Sequence, residues 1–196
     1  MGTLTAEQLL IVRAAIAVDT NLTSELAKPE PDTTFIANYL NAASTFQVWR
    51  TTTPVADIQD QVLWANFTPA NPIAGAGQDV TNWLLACQGK QFNLQNLLNA
   101  GGSSFNSGIS TGKANIRAGL QDCCSQIPSG ISGANKSGGW IGGIQLVIQR
   151  PATRLEKIFA TGSGTSATPG DLVYEGAISI TQTTGLVYNN DGTRAI

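Results

Sequence analysis

Histidine is absent from the sequence. Without it, one copy of the chain cannot build Ser-His-Asp or Cys-His machinery or a histidine-ligated metal site, and it lacks the commonest general base. Charge is scarce as well. Asp, Glu, Lys and Arg make up 12% of the 196 residues, against 42% hydrophobic residues, where about 25% charged is usual. A surface this poor in charge and this rich in Thr, Asn, Gln, Ser and Gly is expected to be covered in part by other chains. The net charge of −2 offers no concentrated basic patch of the kind that grips nucleic acid. No stretch reaches the ~20 consecutive apolar residues of a bilayer span, so no membrane partner is expected. Three cysteines, Cys87, Cys123 and Cys124, lack CxxC spacing and read as buried, reduced thiols of a cytosolic product.

The stretch "NSGISTGKANIRAG" (106–119) tests for a phosphate-binding loop and fails. Such a loop needs Gly, four residues, then Gly-Lys and a hydroxyl, because backbone N–H groups cradle the phosphates and the hydroxyl reaches magnesium. Here Ser107 stands in the place of the first glycine and Ala114 in that of the hydroxyl. A loop feeding a helix is the reading, and no cofactor, metal or catalytic residue is assigned.

Helix signals dominate what remains. Thr5 and Gln8 form a capping box ahead of Leu9, Val12 and Ile16, and Glu7 before the apolar run argues against a signal peptide. Asp32 caps a helix carrying Phe35, Ile36, Tyr39 and Leu40, and "STFQVWRTTT" alternates as a short strand. Thr53 and Pro54 read as N-cap and first residue of a helix running to about Asn66, with Val55, Ile58 and Val62 inside. Val80, Trp83, Leu84 and Cys87 define another, weakened at Gly89 and continued by Phe92, Leu94, Leu97 and Leu98. Ile116, Leu120, Cys123 and Ile127 define a third that Pro128 stops. The glycine-rich segment 129–143 orders only against something else. Pro151 then resets the chain into a helix with Leu155, Ile158 and Phe159 inside.

After "ATGSGTSATPG", read as a flexible linker, the final segment changes character. Val173, Ala177, Ile178 and Ile180 among threonines predict strands, and "NNDGT" predicts a turn. Two strands alone are marginal, so this tail is expected to add to a neighbouring subunit, with a hairpin folded back on its own helices as the alternative. The expected fold is therefore mainly α: a small helical bundle (1–162) with long Gly-rich loops, then a linker and an extended β-type C-terminal arm (163–196). Interface candidates are Trp140 on the glycine-rich loop and Asp171, Val173, Tyr174, Ile178 and Ile180 in the arm, with core filling the equal alternative for Trp140 and Tyr174.

Charge is also segregated along the chain. Residues 1–79 hold eight acids and three basic residues, whereas residues 90–157 hold seven basic residues and two acids. The contrast fits either pairing within the fold or a head-to-tail contact repeated to closure between copies.

The segments "VWRTTTPVADIQDQVLWANFTP", "LACQGKQFNLQNLL", "KANIRAGLQDCCSQIPSG", "ATRLEKIFATGSGT" and "YEGAIS" resemble those of small structural proteins of tailed-bacteriophage virions. The architecture expected above is similar to that of head–tail adaptor (connector) proteins. That resemblance implies a homo-oligomer, commonly a dodecameric ring, in the virion neck. Its partners would be the portal protein and a tail or nozzle protein, with DNA passing through without specific binding. The chain would be made in the host cytoplasm and would not be an enzyme. Capsid decoration (cement) or minor tail proteins are the alternative within the same class. The rival from another class is a carboxylate hydrolase using Asp57 with Asp60, or Asp79 with Glu30. Asp57 and Asp60 are one helical turn apart and suit a solvated helix face equally well.

Overall fold

The structure, a computed structural model, describes residues 4–67, 80–99, 108–129, 134–136 and 143–196. Its elements run α1 (Ala6–Ala17), α2 (Thr23–Leu26), α3 (Thr33–Asn41), β1 (Ala43–Trp49), β2 (Thr53–Pro54), α4 (Val55–Gln59), a 3-10 turn (Trp64–Asn66), α5 (Val80–Asn99), β3 (Gly108–Ile109) and α6 (Ala114–Cys124). Then follow β4 (Ile127–Ser129), β5 (Ala134–Lys136), α7 (Gln145–Val147), β6 (Gln149–Thr153), α8 (Arg154–Phe159) and α9 (Ile180–Val187). The composition is mixed and predominantly helical, with three two-stranded pairings, β1–β6, β2–β3 and β4–β5, among the described residues. It is not a plain helical bundle. The chain divides into two compact units, Met1–Val48 with Pro151–Ile196, and Trp49–Arg150.

The first unit packs α1, α3, α8 and α9 together. Local chemistry starts three of these helices. Thr5 with Gln8, Thr153 with Glu156, and Ser179 with Gln182 each form a reciprocal capping box, in which both side chains satisfy otherwise free backbone N–H groups. Asp32 caps α3 by accepting from Thr34 and Phe35. Val12 and Ile16 of α1, Ile36 and Leu40 of α3, Leu155 of α8 and Leu186 and Val187 of α9 close one hydrophobic core. Long-range polar contacts pin it. The Asn41 side-chain amide donates to Ile178 O (2.8 Å) while its oxygen accepts from Ile178 N (2.9 Å), and Arg13 Nη2 donates to Gly185 O (2.7 Å).

This arrangement corrects the expected C-terminal arm. The tail enters the first core with Tyr174, Ile178, Leu186 and Val187, and its regular element is the helix α9, not a strand. Two causes outweigh the β preference of its β-branched residues: the Ser179 cap, and burial of Thr183, Leu186 and Val187 on one helical face. The "NNDGT" turn does form, closed by Gly192 N donating to Asn189 O (2.9 Å), with Gly192 at φ +79. The linker is not loose either. Gln47 N donates to Gly164 O (2.7 Å), Gly170 N donates to Gln47 O (2.8 Å), and the Ser163, Thr165 and Thr168 hydroxyls bond to one another. The 162–170 segment thus clasps β1.

The second unit is organised by α5, a twenty-residue helix that packs on α6 and β4 and runs straight through Gly89. Cys87, Leu94 and Leu98 of α5 meet Leu120, Cys123 and Cys124 of α6 in a core completed by Val55, Ile58, Phe67, Ile127 and Ile148. Here too two expectations change. Thr53 does not cap a helix: it pairs with Ile109 across β2–β3, and its hydroxyl shares a 2.7 Å hydrogen bond with that of Thr111, which in turn donates to Arg50 O (2.8 Å). The helix after it is only five residues long. The α6 helix stops at Cys124, because Gln126 takes a left-handed φ of +50 and Ile127 joins a strand. The 134–136 segment pairs antiparallel with 127–129.

Candidate functional site

The expected interface residues separate into three groups. Tyr174 and Ile178 are 7% and 3% exposed and belong to the first unit's own core, the Tyr174 ring packing tilted against Phe159 at 5.5 Å between ring centroids. They are therefore core residues, a correction to their reading as anchors for a neighbour. Val173 (70% exposed), Ile180 (50%) and Asp171 remain at the surface. Asp171 also holds the clasp, exchanging two backbone hydrogen bonds of 3.0 Å with Thr161. Trp140 lies outside the described residues.

Sequence reading missed a cluster of exposed apolar residues on α1 of the first unit. Val12 and Ile16 face the core, yet Leu10, Ile11 and Val18 are 61%, 45% and 79% exposed, and Ala14 and Ala17 are exposed beside them. Those five residues share one arc of the helix, with Glu7 the only charge on it. A helix with apolar residues on a second face beyond its core-facing one is suited to burial on both sides. The signal lay in "AEQLLIVRAAIAV" itself, where the apolar positions fill more than one face.

A second feature of the first unit is a cleft of about 660 Å³, lined by Asp19, Asn21, Tyr39, Ser44, Thr45, Arg154 and Lys157 over an apolar floor of Ala15, Ile16, Leu40, Ala43 and Ile158. The Tyr39 hydroxyl donates to Asp19 Oδ2 (2.9 Å), and Asp19 Oδ1 accepts from the backbone and side-chain nitrogens of Asn21 (2.9 and 3.0 Å). Arg154 lies over the Tyr39 ring, 4.2 Å from its centroid, and donates from Nη1 to Tyr39 O (3.1 Å). Burial alone would raise the Asp19 pKa. The Asn21 and Tyr39 hydrogen bonds and the Arg154 charge outweigh it and hold the carboxyl below its ordinary value. Burial, and then the Asp19 carboxylate, push the Tyr39 hydroxyl above its ordinary value.

Asp57 sits 3.7 Å from Arg50 in an exposed ion pair, Asp60 and Glu30 face solvent, and Asp79 lies outside the described residues. The Gly112–Lys113 amides are already spent, on Thr51 O (3.2 Å) and Ser110 O (3.0 Å), so the nest a phosphate would need is closed. Compared with protein-family models, curated proteins and solved structures, the chain finds no match.

Proposed function

We propose that the chain is a structural subunit of a tailed-phage neck, one copy in a ring beneath the portal that joins head to tail and lets DNA through without gripping it. The observation that carries this reading is the uncovered apolar arc of α1, Leu10, Ile11, Ala14, Ala17 and Val18. Covering Leu10, Ile11 and Val18 contributes roughly 1.5–3 kcal/mol for each side chain fully buried, and a ring repeats that contribution at every interface. Charge favours a head-to-tail contact. The first unit carries nine acidic and five basic side chains, the second four and six. A weakly acidic subunit also repels DNA slightly rather than binding it.

Light scattering and native mass spectrometry of the wild type and of Leu10→Asp and Val18→Asp test the proposal. The expected result is a closed oligomer for the wild type and monomers with unchanged far-UV circular dichroism for the variants. A monomeric wild type at high concentration overturns the assembly, and density on the capsid surface of an intact particle would move the chain from neck to decoration protein.

A further inference from the structure

The first unit is acidic overall, yet the cleft that Asp19, Tyr39, Arg154 and Lys157 line is locally basic. The unit has five cationic side chains. Three of them are engaged elsewhere: Arg13 with Gly185 O, Lys28 with Glu25, and Arg194 with the carbonyls of Leu26 and Lys28. The remaining two, Arg154 and Lys157, stand one turn apart on α8 and both line the cleft. Against them stands one acid, Asp19, whose oxygens are already occupied by Asn21 and Tyr39. Lys157 makes no ion pair or hydrogen bond to any described side chain. Arg154 spends Nη1 on Tyr39 O and has further N–H donors in its fork. Thr45, exposed and also lining the cleft, adds a hydroxyl with no hydrogen bond to another described residue.

We propose that this cleft binds an organic monocarboxylate with an apolar body, its carboxylate between Lys157 and Arg154 and its hydrocarbon on the accessible apolar lining, Ala15, Ala43 and Ile158. The surplus of one positive charge matches one carboxylate, and a phosphate dianion would leave the site negative. Asp19 and Tyr39 are positioning residues: their hydrogen bond fixes the ring on which the Arg154 guanidinium rests. The cleft's volume, about 660 Å³, lies within the roughly 300–1,000 Å³ of small-molecule pockets. The carboxylate could belong to a free small molecule or to the end of a peptide chain, which share this chemistry. The inference stands apart from the neck reading and survives its failure.

The test is a titration of the full-length chain with N-acetyl-leucine, N-acetyl-leucinamide, inorganic phosphate and the peptide acetyl-Ala-Ala-Leu, followed by amide chemical shifts. Saturable shifts confined to residues around Asn21, Thr45 and Lys157 are expected with N-acetyl-leucine. The uncharged amide should bind at least about tenfold more weakly, as the loss of a charge-assisted hydrogen bond implies. Lys157→Ala, an exposed position that leaves the fold intact, should lose about tenfold, and Lys157→Arg should restore binding. A tighter peptide assigns the carboxylate to a chain end; equal or weaker binding assigns it to a free molecule. No saturable shift, equal binding of acid and amide, stronger binding of phosphate, or an unaffected Lys157→Ala overturns the proposal.

Discussion

The ring of Phe46 fills the space in front of Gly164: a Cβ on that glycine would stand 2.1 Å from Cδ2 of the ring. Gly170 faces the same ring from the other side of the clasp, where a Cβ would meet Cε1 at 2.7 Å. Two glycines in a segment of small residues therefore serve as the walls of a slot for an aromatic side chain of β1.

Gly164→Ala should consequently destabilise the first unit by about 2–4 kcal/mol, since the ring must move and φ +64 disfavours any side chain. Gly185→Ala is the matched control. That glycine sits inside α9, and a Cβ there meets nothing within 4 Å, so the substitution should stabilise by roughly 0.5–1 kcal/mol. Thermal denaturation of the two variants reads opposite shifts in Tm. A neutral Gly164→Ala would show that the clasp is not closed.

The slot also shows where sequence reading reached its limit. Helix starts at Thr5 and Asp32 were legible because a cap involves residues within three positions of each other. Thr53 carried the same signature, but its hydroxyl is satisfied by Thr111, 58 positions away, and local pattern contains no trace of that partner. In "SITQTTGLV" the β-branched composition pointed to a strand, although Ser179 and Gln182 already stood at capping-box spacing and were the signal to weigh. The cleft was illegible for the same reason as Thr53. Arg154 reaches Tyr39 across 115 positions, so only the fold brings its charge to the ring.

The Asp19–Tyr39 pair should limit stability at both ends of the pH scale. Asp19 has a lowered folded pKa, so its contribution is complete above about pH 4 and is lost as pH falls through the folded value. Tyr39 has a raised folded pKa, so its contribution is complete below about pH 10 and is lost as pH rises through the folded value. Asp19→Asn should flatten the acid limb and Tyr39→Phe the alkaline limb, each costing on the order of 1 kcal/mol at neutral pH. Urea denaturation at pH 3, 7 and 11 checks this, and unchanged limbs in both variants would refute it.

The three thiols should be silent in the folded chain. Cys87, Cys123 and Cys124 are 0%, 6% and 0% exposed, and burial pushes all three pKa values up, that of Cys124 to about 12. Thiolate is the reactive form, and burial lowers its share in all three. Labelling with a disulfide reagent should follow the unfolding rate of the second unit and complete only in denaturant. Rapid labelling of any one thiol under native conditions would contradict its burial.

Removing residues 171–196 separates a folded tail from an assembly arm most directly. The deletion takes Tyr174, Ile178, Leu186 and Val187 out of the first core, together with the Ile178 backbone that Asn41 holds from both sides. At roughly 1.5–3 kcal/mol for each buried side chain, the loss is about 6–12 kcal/mol, comparable to the entire stability of a domain, about 5–15 kcal/mol. The first unit should therefore unfold, with amide exchange in α1 and α3 rising toward random-coil rates, while α5 and α6 of the second unit keep their protection. An arm ordered only by a neighbour predicts the reverse: unchanged protection in α1 and α3, with association alone lost. Exchange measured on the isolated chain distinguishes the two outcomes without any knowledge of the partner.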